Sequence, residues 1–164
     1  MQLFVLDRDC EVAVRFLADI HLVKMCLETA QILSGVITCR KLPLPPDFPR
    51  IYAINHPVLK AIQTPEQINW TVDYNIALQW EFSYRFGKKH AYFALSNRYY
   101  QILHDVSANS DCRGLGRVFR DFQTPETELI LAHRAYYRFR MDHLKRPPAW
   151  SRRPLPKWLF SVIQ

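Results

Sequence analysis

Glycine is scarce in this chain of 164 residues, with four in all, at positions 35, 87, 114 and 116. No GxGxxG or Walker-type loop can be assembled from them, so a nucleotide cofactor is not indicated. A Gly-x-Ser-x-Gly nucleophile elbow is also missing. The cysteines, Cys10, Cys26, Cys39 and Cys112, match no zinc or redox spacing. The six histidines form no HxxxH or HExxH pair, so no metal ligand set is expected. There is no low-complexity tract and no apolar run that approaches a membrane span. The N-terminal MQLFVLDRD meets an acid too early for a signal peptide. These absences lead to the expectation of a reduced, cytoplasmic, metal-free and cofactor-free protein with no membrane partner. Acidic residues are also in the minority: 15 against 22 Lys and Arg, a formal net charge of +7 and a pI near 9.4. An excess of this size points toward a polyanionic partner.

What is present is apolar and aromatic. Hydrophobic residues make up 49% and aromatics 13% of the chain, enough for one domain with a real core over residues 1–164. In LADIHLVKMCLETAQILSGVI, the polar residues His21, Lys24, Glu28 and Gln31 are spaced three, four and three apart. They therefore share one helical face, an arc of roughly 80°. Leu17, Ile20, Leu22, Val23, Met25, Cys26, Leu27, Ile32 and Leu33 stand on nearly every other side. A surface helix shows a single apolar stripe, and this helix shows the inverse. Its body should be buried, with Cys26 as a small core residue, and its polar arc should face a pocket, a partner or an internal network. An ordinary i, i+4 ion pair with satisfied core polar groups is the alternative. An acid, an amine and a histidine on one buried arc are nevertheless costly to keep without a use.

The rest of the chain predicts an all-α fold. LFVL at 3–6 reads as a short strand or an extended lead-in. Asp7 or Asp9 can cap a helix through CEVAVRFLADI that runs or bends into the striped helix, which should end near Gly35. KLPLPPDFP carries four prolines between 43 and 49 and must be a surface connection. Pro57, after Asn55 and His56, is placed to open a turn or helix. Thr64 and Pro65 start a long helix ending at Gly87. On it, Glu81, Tyr84, Arg85 and Lys88 mark an exposed charged side, followed by Lys89 and His90. HAYFALSNRYYQILHDV predicts another helix, and SANSDCRGLGR a loop. TPETELILAHRAYYRFRMDHLK, with the same Thr-Pro-Glu start, predicts the last long helix. The tail, RPPAWSRRPLPKWLFSVIQ, is basic, aromatic and proline-rich. Arg113, Arg117, Arg120, Arg134, Arg138, Arg140, Lys145, Arg146, Arg152, Arg153 and Lys157 interleave with Tyr136, Tyr137, Trp150 and Trp158. Cations beside rings suit phosphate contact and base stacking, although the rings could equally pack in the core.

LADIHLVKMCLE resembles the opening active-site helix of the phage-type endonuclease V superfamily, the pyrimidine-dimer DNA glycosylase/abasic-site lyases. That helix has the pattern LAD-x-HL followed, in phase, by a catalytic glutamate; the matching residues are His21 and Glu28. IYAINHPVL is similar to the family's Asn-His or Gly-His segment and puts His56 on it. RFGKKH resembles its Arg-Gly helix end, and RPPAW its basic-aromatic tail. The blocks follow in the family's order over about half the chain.

The resemblance implies an all-α, cofactor-free domain that flips a nucleotide out of duplex DNA in a bacterial or phage-infected cell, working as a monomer. It implies that an amine attacks the sugar C1′ while Glu28 handles protons, with His21 and His56 orienting. The amine would be that of Met1, retained because Gln2 is bulky, or of Lys24, one turn before Glu28. Leu27 and Gln31 stand where the family's flanking arginines would be. DNA contacts are expected from Gln31, Asn55, Arg85, Lys88, His90, Tyr136, Arg146, Trp150, Arg152 and Arg153. Two other readings stand beside this one. One is a phage-type DNA base-hypermodification transferase that carries an amino acid or amine to a modified pyrimidine on the same fold. The other is a non-enzymatic basic nucleic-acid-binding protein.

Overall fold

The structure, a computed structural model, describes residues 3–50, 53–116, 119 and 121–159. It is all-α. The described residues form six α-helices and no strand: α1 (Cys10–Arg15), α2 (Asp19–Cys39), α3 (Pro57–Ala61), α4 (Pro65–Phe86), α5 (Leu95–Leu103) and α6 (Leu129–Asp142), with a short 3-10 turn at Lys157–Leu159. Helix α2 packs along α4, which also carries α1 and α5, so α4 is the centre of the bundle.

The ends of α4 follow their sequence signals. Thr64 Oγ1 accepts from the Gln67 backbone N–H, and the Gln67 side chain reaches back to the Thr64 N–H, a reciprocal capping box. Gly87 closes the helix at φ +66°, a conformation that a Cβ would strain. Asp9 caps α1 by accepting from Val12 N–H, and His56 caps α3 ahead of Pro57.

Several expectations change. Residues 3–6 are buried but form no strand; the segment runs against α6, where Val5 N–H donates to His133 Nδ1. Helices α1 and α2 are separate, with a corner at Phe16–Ala18. Gly35 does not end α2; it lies buried inside a helix that continues to Cys39. Buried packing on α2 outweighs the roughly 1 kcal/mol helix cost of a glycine. Helix α2 is long and apolar enough, by length and composition alone, to cross a membrane, contrary to the reading that no run approaches a span; 61% of that window is buried inside the protein. Helix α5 is shorter than its predicted span. Thr124-Pro125 does not start α6. Thr124 Oγ1 instead accepts from Glu126 N–H in a local turn, and the cap of α6 is Glu128. The Thr-Pro signal at 64 acts because Gln67 completes its box; at 124 the residue three positions on is Thr127, which cannot.

Candidate functional site

The four stripe residues share a face of α2 but differ in environment. His21 is buried and packs among Phe4, from the N-terminal segment, and Tyr137, from α6. Glu28 is buried to 9% exposure, whereas Lys24 is open to solvent. Their charged groups stand 3.4 Å apart across one turn, with side-chain exposures of 57% for Lys24 and 12% for Glu28. Gln31 is half-buried, and its amide donates to the Arg50 carbonyl at 3.4 Å, tethering α2 to the proline-rich connection. Beyond this face the encasing apolar body is incomplete. Ile20 and Val23 are 57% and 44% exposed, so the polar arc opens into a solvent-facing sector rather than lying in a closed core.

His56 reaches this face from α3. Its Nδ1 accepts from Val58 N–H at 3.2 Å, so its proton rides on Nε2 while the ring is neutral. Burial lowers its basicity, and the nearby Glu28 carboxylate opposes that shift. A helix cap from one part of the chain and the stripe carboxylate from another are thus electrostatic neighbours. Burial also pulls His21 down to about 4, with the Arg140 and Lys24 cations adding to the effect. Near neutral pH His21 is therefore an uncharged ring. Arg140 and Tyr137 join this neighbourhood from α6. The sequence names both residues within the basic-aromatic set of the C-terminal half, but no spacing rule links residues 137–140 to residue 21.

The expected DNA-contact residues divide into two groups. Asn55, Lys88 and Arg146 are exposed, as is Arg152, whose guanidinium donates to the Tyr84 carbonyl at 2.8 Å. The others serve the fold. Arg85 is not on an exposed face. Its side chain is fully buried and donates to Glu81, to Asp19 and to the carbonyls of Val14, Arg15 and Leu17. Glu81 is buried as well, held by Arg85 and by both arms of Arg153. Desolvation would raise the Glu81 carboxyl, but the hydrogen bonds from Arg153 and Arg85 prevail and hold it below the usual glutamate range.

Tyr136 is no free stacking ring. It is 2% exposed and lies within a cluster with Phe4, Phe119, Phe122 and Phe139. Trp150 is buried, with Nε1 donating to the Phe16 carbonyl. His90 is half-buried, accepts from Tyr92 N–H and packs on Phe82. In the tail, Trp158 packs edge-on to Phe16 while Arg134 and Arg138 lie over its ring. RPPAW docks on the α1–α2 corner. Ser151 donates from its N–H and hydroxyl to the Asp19 carboxylate, and the Ala149 carbonyl accepts from Asp19 N–H. Met1, Arg117 and Arg120 lie outside the described residues.

Two grooves lie away from the stripe. One of about 510 Å³ runs between α1 and α4 past Asp73, Trp80, Tyr84 and Arg153. Another, of about 520 Å³, lies between Phe16 and the tail residues Pro154–Trp158. Among the described residues no group of His, Cys, Asp and Glu is arranged to hold a metal ion. Comparison with protein-family models, with curated proteins and with solved structures gives no match.

Proposed function

We propose that the protein acts on a flipped nucleotide in DNA as a glycosylase/abasic-site lyase, with the His21–Lys24–Glu28–His56 face of α2 and α3 as its site. The observation that carries the reading is a solvent-open amine, Lys24, held 3.4 Å from the buried Glu28 carboxylate, in whose electrostatic field His56 also lies. An amine next to a carboxylate suits imine chemistry. The lysine gives up a proton to Glu28, and its lone pair attacks the C1′ aldehyde of the ring-opened sugar. Water leaves as the imine forms. Loss of a C2′ proton to a nearby base then expels the 3′ phosphate. The exposed cations Lys88, Arg146 and Arg152 and the net charge of +7 suit the backbone of such a substrate. Supporting the reading from the sequence are the ordered LAD-x-HL, Asn-His-Pro, Arg-Phe-Gly and RPPAW blocks.

A second reading is a basic nucleic-acid-binding protein without turnover. It is favoured by one observation: two grooves of about 510 and 520 Å³ are lined by no stripe residue, which leaves the Lys24–Glu28 pair as an i, i+4 surface bridge.

The test is borohydride trapping on a duplex carrying one abasic site, with wild type, Lys24→Ala and Glu28→Gln. The expected result is a covalent protein–DNA band in wild type that both substitutions abolish while affinity for the duplex is kept. A band that survives Lys24→Ala but not Glu28→Gln moves the nucleophile to another amine. Tight binding with no band in any protein removes the lyase reading and leaves base modification or binding without turnover, and a flat salt dependence of binding argues against nucleic acid altogether.

A further inference from the structure

Resting on that reading of the site, we infer that His21 is a fixed, uncharged Nε2–H donor to an anionic oxygen of the substrate, and that Tyr137 is the positioning residue that fixes it. The argument is a count of protons. The Tyr137 side chain is fully buried, and among the described residues its hydroxyl meets two partners. The first is the Ala18 N–H at 2.7 Å, which can only donate, so the phenol oxygen accepts there. The second is His21 Nδ1 at 3.1 Å. If Nδ1 carried the ring proton, it too would donate to the phenol oxygen, and the phenol hydrogen would be left buried with no acceptor. A buried orphaned donor costs about 1–3 kcal/mol. The phenol therefore donates to Nδ1, and the ring proton sits on Nε2.

That far nitrogen has no partner among the described residues, yet it is not among their fully buried atoms without one, so it belongs to the 5% of His21 that remains exposed. The chain Ala18 N–H to Tyr137 O–H to His21 Nδ1 thus anchors one side of the ring and presents an N–H on the other. The Phe4 ring packs against the imidazole and holds its plane.

The charged groups around this N–H indicate what it would meet. On α6 Arg140, and on α2 Lys24, which is paired with Glu28 at 3.4 Å, both lower the basicity of His21. Among the described residues, the N-terminal segment brings Phe4 to the ring, and Tyr137 is neutral. A neutral donor with Arg140 and the Glu28-paired Lys24 nearby suits an acceptor bearing negative charge, the chemistry of a phosphate oxygen or a sugar oxyanion. The same cations oppose a proton on the imidazole, which argues against His21 as a general acid or base.

The lock is read directly by NMR of ¹⁵N-histidine-labelled protein across pH 4.5–8. The expected spectrum has a protonated Nε2 and a bare, hydrogen-bonded Nδ1 for His21, with no charging of the ring over most of that range. In Tyr137→Phe, checked for folding by circular dichroism, the two tautomers mix. A wild-type Nδ1–H form, or a ring that titrates near pH 6.5, overturns the inference. The donor role is read from binding to a duplex with one reduced abasic site. Glutamine can place an amide N–H where Nε2–H stood, and asparagine places one nearer Nδ1. His21→Gln should bind within about threefold of wild type, and His21→Asn should lose about tenfold or more, as expected for a hydrogen bond to a charged group. Equal losses in both variants refute the donor role. If wild type does not bind the duplex at all, the nucleic-acid reading and the donor role fall together, while the Tyr137 lock is judged by the spectrum alone.

Discussion

Replacing Arg85 with leucine tests how deeply this protein depends on a residue that its sequence places on a solvated face. Five hydrogen bonds leave the Arg85 side chain. They go to Glu81 Oε1 at 2.7 Å, Asp19 Oδ1 at 3.0 Å, and the carbonyls of Leu17, Arg15 and Val14 at 2.7, 3.0 and 3.4 Å. The three carbonyls belong to the end of α1 and the corner before α2; that of Val14 also accepts from the Phe16 and Leu17 N–H groups, while those of Arg15 and Leu17 lie where α1 has run out of N–H partners of its own. Leucine satisfies none of them and leaves the buried Glu81 with Arg153 as its remaining ion-pair partner.

Removing one member of a buried charged network costs about 3–5 kcal/mol, and the orphaned carbonyls keep the value at the upper end. For a chain of this size each kcal/mol lowers Tm by about 2–4 °C, so Arg85→Leu should melt roughly 10–15 °C below wild type. Urea unfolding should show the same loss as a lower midpoint at an unchanged slope. A solvated arginine replaced by leucine would change stability by no more than about 0.5 kcal/mol. A measured loss under about 1 kcal/mol would therefore refute the assignment of Arg85 as the buried tie between α1, α2 and α4. The acid limb gives a second check. The Glu81 carboxyl is held below its ordinary value in the folded state, so its contribution is present above the ordinary glutamate range and disappears as pH falls through the folded value. Arg85→Leu should shrink that acid-dependent part of the stability.

Other measurements follow from particular residues. Gly87→Ala forces a Cβ into φ +66° with open space around it, so the loss should be conformational, about 1 kcal/mol by urea titration. Thr64→Ala removes one half of the capping box of α4 and should cost about 1 kcal/mol, with no change in DNA affinity if the nucleic-acid reading holds. His21 and His133 are held down to about 4 by burial, so between pH 6.5 and 4 the unfolded chain takes up protons that the folded rings refuse. Stability should thus be complete above pH 6.5 and fall as pH drops across that window, and a flat pH profile there would contradict the burial of both rings. Trp150→Phe keeps most of the packing but loses the bond to the Phe16 carbonyl. A drop of about 1 kcal/mol is expected, and its absence together with weakened DNA binding would restore Trp150 as a contact residue.

The sequence alone determined the features that depend on neighbours a few positions apart. The 3.6-residue period set the helices, and Thr64-Pro65 with Gln67 and Gly87 set both ends of α4, because caps and left-handed glycines act over a single turn. His21, Lys24, Glu28 and Gln31 shared a face for the same reason, since spacing on one helix is geometry. Only the tertiary structure decided which members of a face meet water. Arg85 and Trp80 both lie on α4, yet Arg85 is buried because α1 ends against it with open carbonyls, while Trp80 is 63% exposed. Tyr136 and Trp150 carried the same aromatic signal as a stacking ring, but the hydrophobic effect and a carbonyl at Phe16 drew them inward. The pairing of His56 with Glu28 had no signal in spacing, only in the ordered blocks of the resemblance, and that of Tyr137 with His21 across 116 positions had none. Contacts between distant segments arise from how helix faces pack, and a local pattern names the face without naming what covers it.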